Sequence, residues 1–267
     1  MNYQIAIPTY KRYSGVRKKT IETLLRHGAD PARITIFVAS EAEKQLYQSV
    51  VGSGFNIVVG VLGISNQRKF ISNFYPSGTR ILSLDDDVTS LKEKQGKRMV
   101  ECRMTIDEIA SIGFGLCEKH DAKLWGIYPV ANGFFLKDKA TLGLKYICGI
   151  FFGSYAGDPV LGGFRDNQSS GEDFETTLLS FKRYGSVVRI DWVCPTTKYF
   201  ADGGIDAELK DRGISAERHV DHTKCLLNIE ARHSDLASTY VKAGEVTNIR
   251  LKRITSSEYA RSQLTNK

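Results

Sequence analysis

The first 90 residues alternate between apolar strand patterns and helix patterns, and this alternation limits the folds open to the chain. Four short apolar runs predict strands, at residues 3–8, 34–39, 56–61 and 80–84. Three helices are predicted between them, over residues 15–27, from a capping-box pattern at Ser40 onward, and over residues 66–74. Parallel strands need such crossover helices. The pattern therefore predicts an α/β fold with a mainly parallel sheet.

Polar residues follow three of the four predicted strands. They lie at residues 8–12, 65–68 and 85–87. In open parallel sheets, ligands collect at the carboxyl ends of the strands, where loops meet the amino ends of helices. We therefore expect these three segments to line one crevice.

Three consecutive carboxylates, Asp85, Asp86 and Asp87, follow the fourth strand directly. Adjacent like charges repel each other, so their presence together indicates a compensating cation. Strand alternation would place Asp85 and Asp87 on one face and turn Asp86 away. Two carboxylates suit a divalent metal, Mg or Mn, that also binds phosphate and water. The alternative is a solvated turn, because aspartate is common in turns.

The second half of the chain has a looser pattern. It predicts, in order, a solvated loop at 92–98, a helix at 105–120, strands at 124–128, 133–136 and 146–154, a glycine-rich turn at 157–163, a helix from Ser170 to about 185 and a strand at 187–193. Repeats and linkers are absent from the sequence. We predict a single domain over residues 1–267, with a nucleotide-sugar-binding half at 1–90, an acceptor and catalytic half at 91–225 and a C-terminal extension at 226–267.

The amino-acid composition indicates which binding partners and which cellular compartment to expect. Thirty-seven Lys and Arg exceed 30 Asp and Glu, and the resulting net charge of +7 favours an anionic partner such as a nucleotide or nucleic acid. Five cysteines without a C-x-x-C spacing indicate reduced thiols and a cytoplasmic setting. A leader pattern and an 18-residue apolar run are both absent from the sequence, which predicts an untargeted protein without a membrane partner.

The segments at residues 7–12, 63–68 and 84–88 together resemble a known family. An Asp-x-Asp motif at the end of a strand, following a Rossmann-like half of the chain, is typical of GT-A glycosyltransferases. The order and spacing of the three segments resemble the TET/JBP-associated glycosyltransferases, a phage-rich group that glycosylates hydroxymethylated pyrimidines in DNA, and within it the phage 5-hydroxymethylcytosine glycosyl- and arabinosyltransferases. The resemblance implies a GT-A, Rossmann-like sheet with helices on both faces and an acceptor-side extension. If the protein is phage-encoded, the resemblance also implies that it is located in the cytoplasm of the host cell.

The resemblance implies a site for a UDP-sugar donor and a divalent metal. The implied donor-binding residues are Pro8, Thr9, Tyr10, Arg12, Gln67, Arg68, Asp85, Asp86, Gly162 and Gly163. Thr9 and Tyr10 would contact the nucleobase, and Arg12 and Arg68 the diphosphate. The alternatives are a solvated basic helix start around Arg12 and a plain turn at the two glycines.

Two further segments carry the implied catalytic and metal-binding residues. Glu172 and Asp173, at a predicted helix start, match the Glu-Asp motif in which one acid acts as the catalytic base. The alternative is helix capping by a nearby serine. His219 or His222 would add a ligand to the metal held by Asp85 and Asp87, and the alternative for either is a surface or core histidine.

The acceptor is the least constrained part of the prediction. The resemblance implies transfer to 5-hydroxymethylcytosine in double-stranded DNA. A GT-A enzyme with a polysaccharide or protein acceptor would carry the same donor residues, and a non-enzymatic basic DNA-binding protein would not need Asp85 and Asp87. Candidate DNA contacts, equally explained as solubilising charge, are Lys92, Lys94, Lys97, Arg98, Arg250, Lys252 and Arg253.

Overall fold

A computed structural model describes residues 1–161, 170–197, 204, 207, 211, 218–242 and 246–265. The strands are β1 Gln4–Pro8, β2 Ile34–Val38, β3 Asn56–Val59, β4 Arg80–Leu84, β5 Val88–Gln95, β6 Arg98–Glu101, β7 Trp125–Ile127, β8 Ala140–Gly143, β9 Phe151–Tyr155, β10 Val187–Ile190, β11 Val193–Thr197, β12 Ala237–Lys242 and β13 Val246–Leu251. The helices are α1 Tyr13–Val16, α2 Glu22–Arg26, α3 Glu41–Val51, α4 Ile64–Phe74, α5 Ile106–Lys119, α6 Glu172–Tyr184, α7 Arg218–His233 and α8 Ser256–Thr265. A π-helical segment, Arg17–Ile21, joins α1 to α2, and a 3-10 turn covers Pro31–Arg33.

The central sheet has eight strands in the order β3-β2-β1-β4-β9-β7-β10-β8. The four strands from β3 to β4 are parallel, as are β7 and β10, whereas β9 and β8 run antiparallel to their neighbours. The chain runs outward from β1 to β3 and then returns to place β4 on the other side of β1. This reversal makes a crevice at the carboxyl ends of β1 and β4, where such sheets bind ligands.

Both faces of the sheet are covered. On one face, Ile5 and Ile7 of β1 lie in a large apolar core with α2 and α5. On the other face, Ala6 packs with Ile71 of α4. The alternation of neighbouring β1 residues between two cores explains why the strand is apolar throughout. A separate apolar cluster joins α6, α7 and the β12–β13 hairpin.

Two predictions for the second half are wrong. The segment at residues 92–98 is not a solvated loop: it comprises the end of β5, a turn at 96–97 and the first residue of β6. Strand β5 also pairs with β11, in a three-stranded sheet. Residues 133–136 form a turn instead of a strand, and the strand that follows β7 is β8. The polar residues of β5 suit a strand outside the central sheet that contributes only Val88 and Leu91 to the main core.

The described helices are each too short or too polar to cross a membrane. All five cysteines are free thiols, as predicted, and three of them are buried.

Candidate functional site

The three aspartates lie at the carboxyl end of β4, on the turn that leads into β5. The prediction that Asp86 turns away from Asp85 and Asp87 is wrong. These residues belong to a turn, so the two-residue alternation of a strand does not apply to them. Instead, Asp86 and Asp87 share one guanidinium group and Asp85 faces another.

Arg12 links the end of β1 to this turn. Its Nη1 donates to Asp86 at 2.8 Å and to Asp87 at 3.1 Å. Thr9 also donates to Asp86, at 2.5 Å, and its hydroxyl lies 2.7 Å from that of Tyr47. Only 6% of the Asp86 side chain is exposed. Thr9 and Arg12, both predicted site residues, are therefore brought directly against the aspartates.

The π-helical segment after α1 also contacts the turn that carries the three aspartates. Thr20, within this segment, donates to the Asp85 carbonyl at 2.6 Å and accepts from the Val88 N–H at 3.0 Å. A π-helical turn widens the helix locally and is frequent at functional sites. Here it brings the Thr20 hydroxyl between two backbone groups that the turn would otherwise leave without partners.

Arg68 of α4 joins the turn to the start of α6. Its Nη2 lies 3.0 Å from Asp85 and donates to the Gly149 carbonyl at 3.1 Å. Its Nε lies 3.4 Å from Glu172, close enough for an ion pair but without hydrogen-bond alignment. Only 5% of the Arg68 side chain is exposed. Arg68 therefore holds Asp85 and Glu172 together.

Asp173 follows Glu172 on the first turn of α6. Its carboxylate accepts from the Tyr146 hydroxyl, from the Gly149 N–H at 3.2 Å and from the Phe174 N–H at 2.8 Å. The Tyr146 ring stacks on that of Phe174, with centroids 4.1 Å apart. These contacts fix the Asp173 carboxylate within the same region as Arg68.

The serine-capping alternative for this helix is wrong for Ser170, and Ser169 lies outside the described residues. The N-cap of α6 is Gly171, with φ of 76° and no side-chain cap, and a Cβ there would lie 2.9 Å from Ile229. Ser170 instead pairs with Nδ1 of His222, at 2.6 Å. His222 is thereby placed beside the start of α6. The His219 backbone lies in α7, but its side chain is outside the described part of the chain, as are Gly162 and Gly163.

The other described residues that were predicted to bind the donor belong to the walls of the crevice. Pro8 ends β1, and the Gln67 side chain binds the chain after β3: its Oε1 accepts from the Val61 N–H at 2.9 Å and its Nε2 donates to the Val38 carbonyl at 3.2 Å. Tyr10 donates its hydroxyl to Asp211. Gln67 is therefore placed as a wall residue, since it is buried and its amide is bonded to backbone.

Sequence reasoning missed several residues that shape the site. Glu43, which looked like part of a capping box, accepts instead from the Lys11 N–H at 2.8 Å and the Ala39 N–H at 2.9 Å, and so ties the ends of β1 and β2. Lys11 has a left-handed backbone, with φ of 52°, a strained conformation that often accompanies functional sites. Tyr47 and Tyr146 carry no local sequence signal, because their partners are distant in the chain.

Excess negative charge is the main electrostatic property of the site. Four carboxylates, Asp85, Asp86, Asp87 and Glu172, converge on two guanidinium groups, those of Arg12 and Arg68. Burial raises the pKa of Asp85 to about 8; Arg68 opposes this shift, and Asp87 and Asp86 add to it. Burial and Asp86 likewise raise the pKa of Asp87.

A divalent cation fits this donor set. Carboxylate oxygens suit Mg or Mn, which bind through one or two carboxylates together with phosphate and water. Within the described ranges, no group of three or more His, Cys, Asp or Glu side chains is arranged to hold a metal by itself. The turn can therefore supply part of a coordination sphere, and phosphate oxygens would have to complete it.

Comparisons with known proteins show similarity at the level of fold. No protein-family model and no curated protein sequence matches the chain. Glucosyl-3-phosphoglycerate synthase from Mycobacterium tuberculosis, in complex with phosphoglyceric acid, matches with a TM-score of 0.51 and 10% identity, over 89% of this chain and 83% of that chain. Its complex with Mn2+, UDP and phosphoglyceric acid gives a TM-score of 0.48 and 9% identity, over 96% and 88%. The chain has a GT-A-like α/β fold, as predicted.

Proposed function

We propose that the chain is a metal-dependent glycosyltransferase that transfers a sugar from a UDP-sugar to 5-hydroxymethylcytosine in DNA. The observation that carries the proposal is the carboxylate turn after β4, which meets Arg12 from β1 and Arg68 from α4 in the crevice of the sheet. The fold it shares with a glucosyl-3-phosphoglycerate synthase supports glycosyl transfer as the class of reaction.

Each part of the site has a role in this reaction. Asp85 and Asp87 would hold the divalent cation, which would supply positive charge against the diphosphate. Arg12, held by Asp86 and Asp87, is the proposed cation for the diphosphate, because a guanidinium group can bind two phosphate oxygens. Arg68 keeps Asp85 oriented. His222, beside the start of α6, and His219 are the candidates for one further metal ligand.

Asp173 is the proposed catalytic base. Its carboxylate lies at the start of α6, close to the Arg68 and Glu172 pair, and its hydrogen bonds fix it in one orientation. As the acceptor hydroxyl attacks the sugar, Asp173 takes the hydroxyl proton on a carboxylate oxygen, and the UDP group leaves. The hydroxymethyl group of the modified base provides that hydroxyl. The basic composition of the chain supports a polyanionic acceptor.

Binding of UDP tests the donor half of the proposal. In calorimetry, UDP should bind in the presence of Mn2+, and EDTA or the substitution Asp87→Asn should weaken binding at least about tenfold, because the turn would lose a metal ligand.

Asp107→Asn is the control for this measurement, since Asp107 is an exposed carboxylate on α5, outside the crevice. It should bind UDP like the unmodified chain. Equal affinity for UDP in Mn2+ and in EDTA would show that the carboxylate turn holds no metal for a donor.

A further inference from the structure

Two phenylalanine rings project into solvent from the loop between β7 and β8. Phe134 is 87% exposed and Phe135 is 49% exposed, and their centroids lie 5.0 Å apart in an edge-to-face arrangement. Val130, in the same loop, is 49% exposed. Adjacent exposed apolar side chains of this size are typical of interaction sites, because burying them within the fold would stabilise it.

The loop holds these rings outward through several contacts. Asn132 accepts from the Phe134 N–H through its side chain at 3.0 Å, and from the Phe135 N–H through its carbonyl at 3.1 Å. Leu136 is buried, and Asp138 pairs with Lys94 of β5 at 2.6 Å. The loop is thus anchored on both sides of the two rings, which favours a fixed binding element over a frayed loop.

Unpaired cations continue from this loop along the edge of the sheet. Lys137, Lys145 and Arg253 have no ion-pair partner among the residues that the structure describes. Burial and Arg189 lower the pKa of Lys145, Asp191 opposes this shift, and Lys137 and Arg253 add to it. Neighbouring cations of this kind are suited to an anionic ligand.

Lys145 and Arg253 also line a cleft of about 610 Å³, together with His120, Thr255 and one carboxylate, Glu258. The cleft lies at the end of β8 where Gly143 stands, and the phenylalanine loop lies at the other end of β8. Edge strand β8 therefore lies between the two phenylalanine rings at one end and the cleft with Lys145 and Arg253 at the other. We call this continuous surface, formed by Phe134, Phe135, Lys137, Lys145 and Arg253, the β8-edge surface.

The β8-edge surface is separate from the carboxylate turn. Strand β8 is four positions from β4 in the sheet. At about 4.8 Å per strand, the separation is roughly 20 Å. This distance corresponds to about six base pairs of a DNA duplex. Strand β8 runs antiparallel to β4, so the phenylalanine loop lies at the same edge of the sheet as the carboxylate turn and the cleft lies at the opposite edge. A duplex at the turn can therefore also reach the phenylalanine loop.

We propose that the β8-edge surface is a second contact site for duplex DNA, in which Phe134 inserts at a base step and Lys145 and Arg253 contact phosphates. Aromatic side chains next to cations are the combination that binds bases and backbone together. The proposal rests on the proposed function, because it assigns part of the binding surface for that DNA acceptor. Its tests are therefore arranged so that either proposal can fail alone.

The aromatic contact is tested with Phe134→Ala and a labelled 20-base-pair duplex, by fluorescence anisotropy without donor sugar. Loss of a stacking contact should weaken binding about five- to a hundredfold. Phe134→Trp should retain affinity, because it keeps an aromatic face. Val241→Ala is the control, since Val241 is 69% exposed on the β12–β13 hairpin. Affinities equal to the unmodified chain for all three variants would overturn the aromatic assignment.

The phosphate contacts are tested with the double substitution Lys145→Gln and Arg253→Gln. The slope of log affinity against log salt should fall by about two, because two phosphate contacts no longer release counterions. Arg26→Gln with Lys44→Gln removes the same charge from α2 and α3, on another part of the molecule, and should leave the slope unchanged. Equal slopes for the two double variants would overturn the assignment of phosphate contacts.

Further measurements separate this proposal from the proposed function. UDP binding in Mn2+ should be unchanged in every β8-edge variant, which shows that the variants fold. If Phe134→Ala weakens DNA binding and hydroxymethylated DNA is never glycosylated, the proposed DNA contact at the β8-edge surface is supported and the proposed function is contradicted. If glycosylation proceeds and the variants bind DNA normally, only the proposed DNA contact is contradicted. Self-association that Phe134→Ala abolishes, with DNA affinity intact, would also overturn it.

Discussion

At the residue scale, Asp173 offers the clearest separation of donor binding from chemistry. Its carboxylate is held by Tyr146 and the Gly149 N–H instead of by the carboxylate turn. Asp173→Asn should therefore slow single-turnover sugar transfer at least about a hundredfold, while the affinity for UDP changes less than about twofold. Rapid-quench measurements of transfer, with calorimetry of UDP binding, check this expectation.

Tyr146→Phe provides a graded comparison for the same residue. It removes one hydrogen bond to Asp173 and keeps the ring that stacks on Phe174. Transfer should slow less than in Asp173→Asn, since the carboxylate itself remains. If Asp173→Asn instead loses UDP affinity and transfers sugar at the normal rate, Asp173 belongs to the donor site and the assignment of the base is wrong.

Several residues of the site could be predicted from the sequence, but their contacts with one another could not. Arg12 and Asp87 could be found because each belongs to a polar segment that follows an apolar strand. Their pairing could not, because it depends on β1 and β4 being neighbours in the sheet. Asp86 was assigned the wrong direction because the strand ends at Leu84, one residue before the carboxylates begin.

At the scale of elements, α5 packs closely on the central sheet through a glycine. A Cβ on Gly113 would lie 2.2 Å from the Trp125 ring, whereas a Cβ on Gly115 would meet nothing within 4 Å. Gly113→Ala should lower the free energy of unfolding by about 1–3 kcal/mol through overpacking. Gly115→Ala should raise it by up to about 1 kcal/mol, because alanine favours helix.

Urea denaturation of the two glycine variants checks this prediction. The pair is matched, since both substitutions add one methyl group to the same helix. Equal changes in the free energy of unfolding would show that the contact between Gly113 and Trp125 does not limit how closely α5 approaches the sheet.

The contact between α6 and α7 should depend on pH. Burial would raise the pKa of Glu175, but the contacts from His233, at 3.4 Å, and Arg232, at 2.9 Å, outweigh it and hold the pKa below its usual 4.5. A carboxyl with a lowered folded-state pKa stabilises the fold above its unfolded pKa and loses that contribution as the pH falls through its folded pKa.

Stability should therefore fall as the pH drops below about 4.5, and Glu175→Gln should show a shallower fall. Glu22→Gln, at an exposed position on α2, is the control and should follow the unmodified chain. Thermal unfolding from about pH 6 to pH 3 measures the difference. Superimposable pH profiles for Glu175→Gln and the unmodified chain would contradict the prediction.

Strands β1, β2 and β4 could be predicted because burial on both faces makes them mostly apolar, and the edge strand β3 could be predicted from its run of Ile and Val. The β5–β6 hairpin could not, because its charged residues read as a solvated loop. Its strand β5 also pairs with β11, which lies far along the chain. Only Val88 and Leu91 of β5 are buried, so the local pattern does not reveal the strand.

At the scale of the whole molecule, strand order creates the site. The return of the chain from β3 to β4 places residues 9–12 next to residues 85–87, and α6 then brings Glu172 to the same crevice through Arg68. The sequence predicted a crevice at the strand ends but not which strands would be neighbours, since strand order follows from packing of the complete sheet. The division at residues 90 and 225 stays a prediction.

The most direct test of the central claim is the mass of the nucleosides in DNA that has been incubated with the protein, Mn2+ and a panel of UDP-sugars. We predict that 5-hydroxymethylcytosine gains the mass of one sugar residue, that unmodified cytosine gains none because it lacks the hydroxyl, and that EDTA prevents the gain. If no UDP-hexose or UDP-pentose yields a modified nucleoside, while the protein releases UDP in the presence of a polysaccharide or protein acceptor, the DNA acceptor is contradicted.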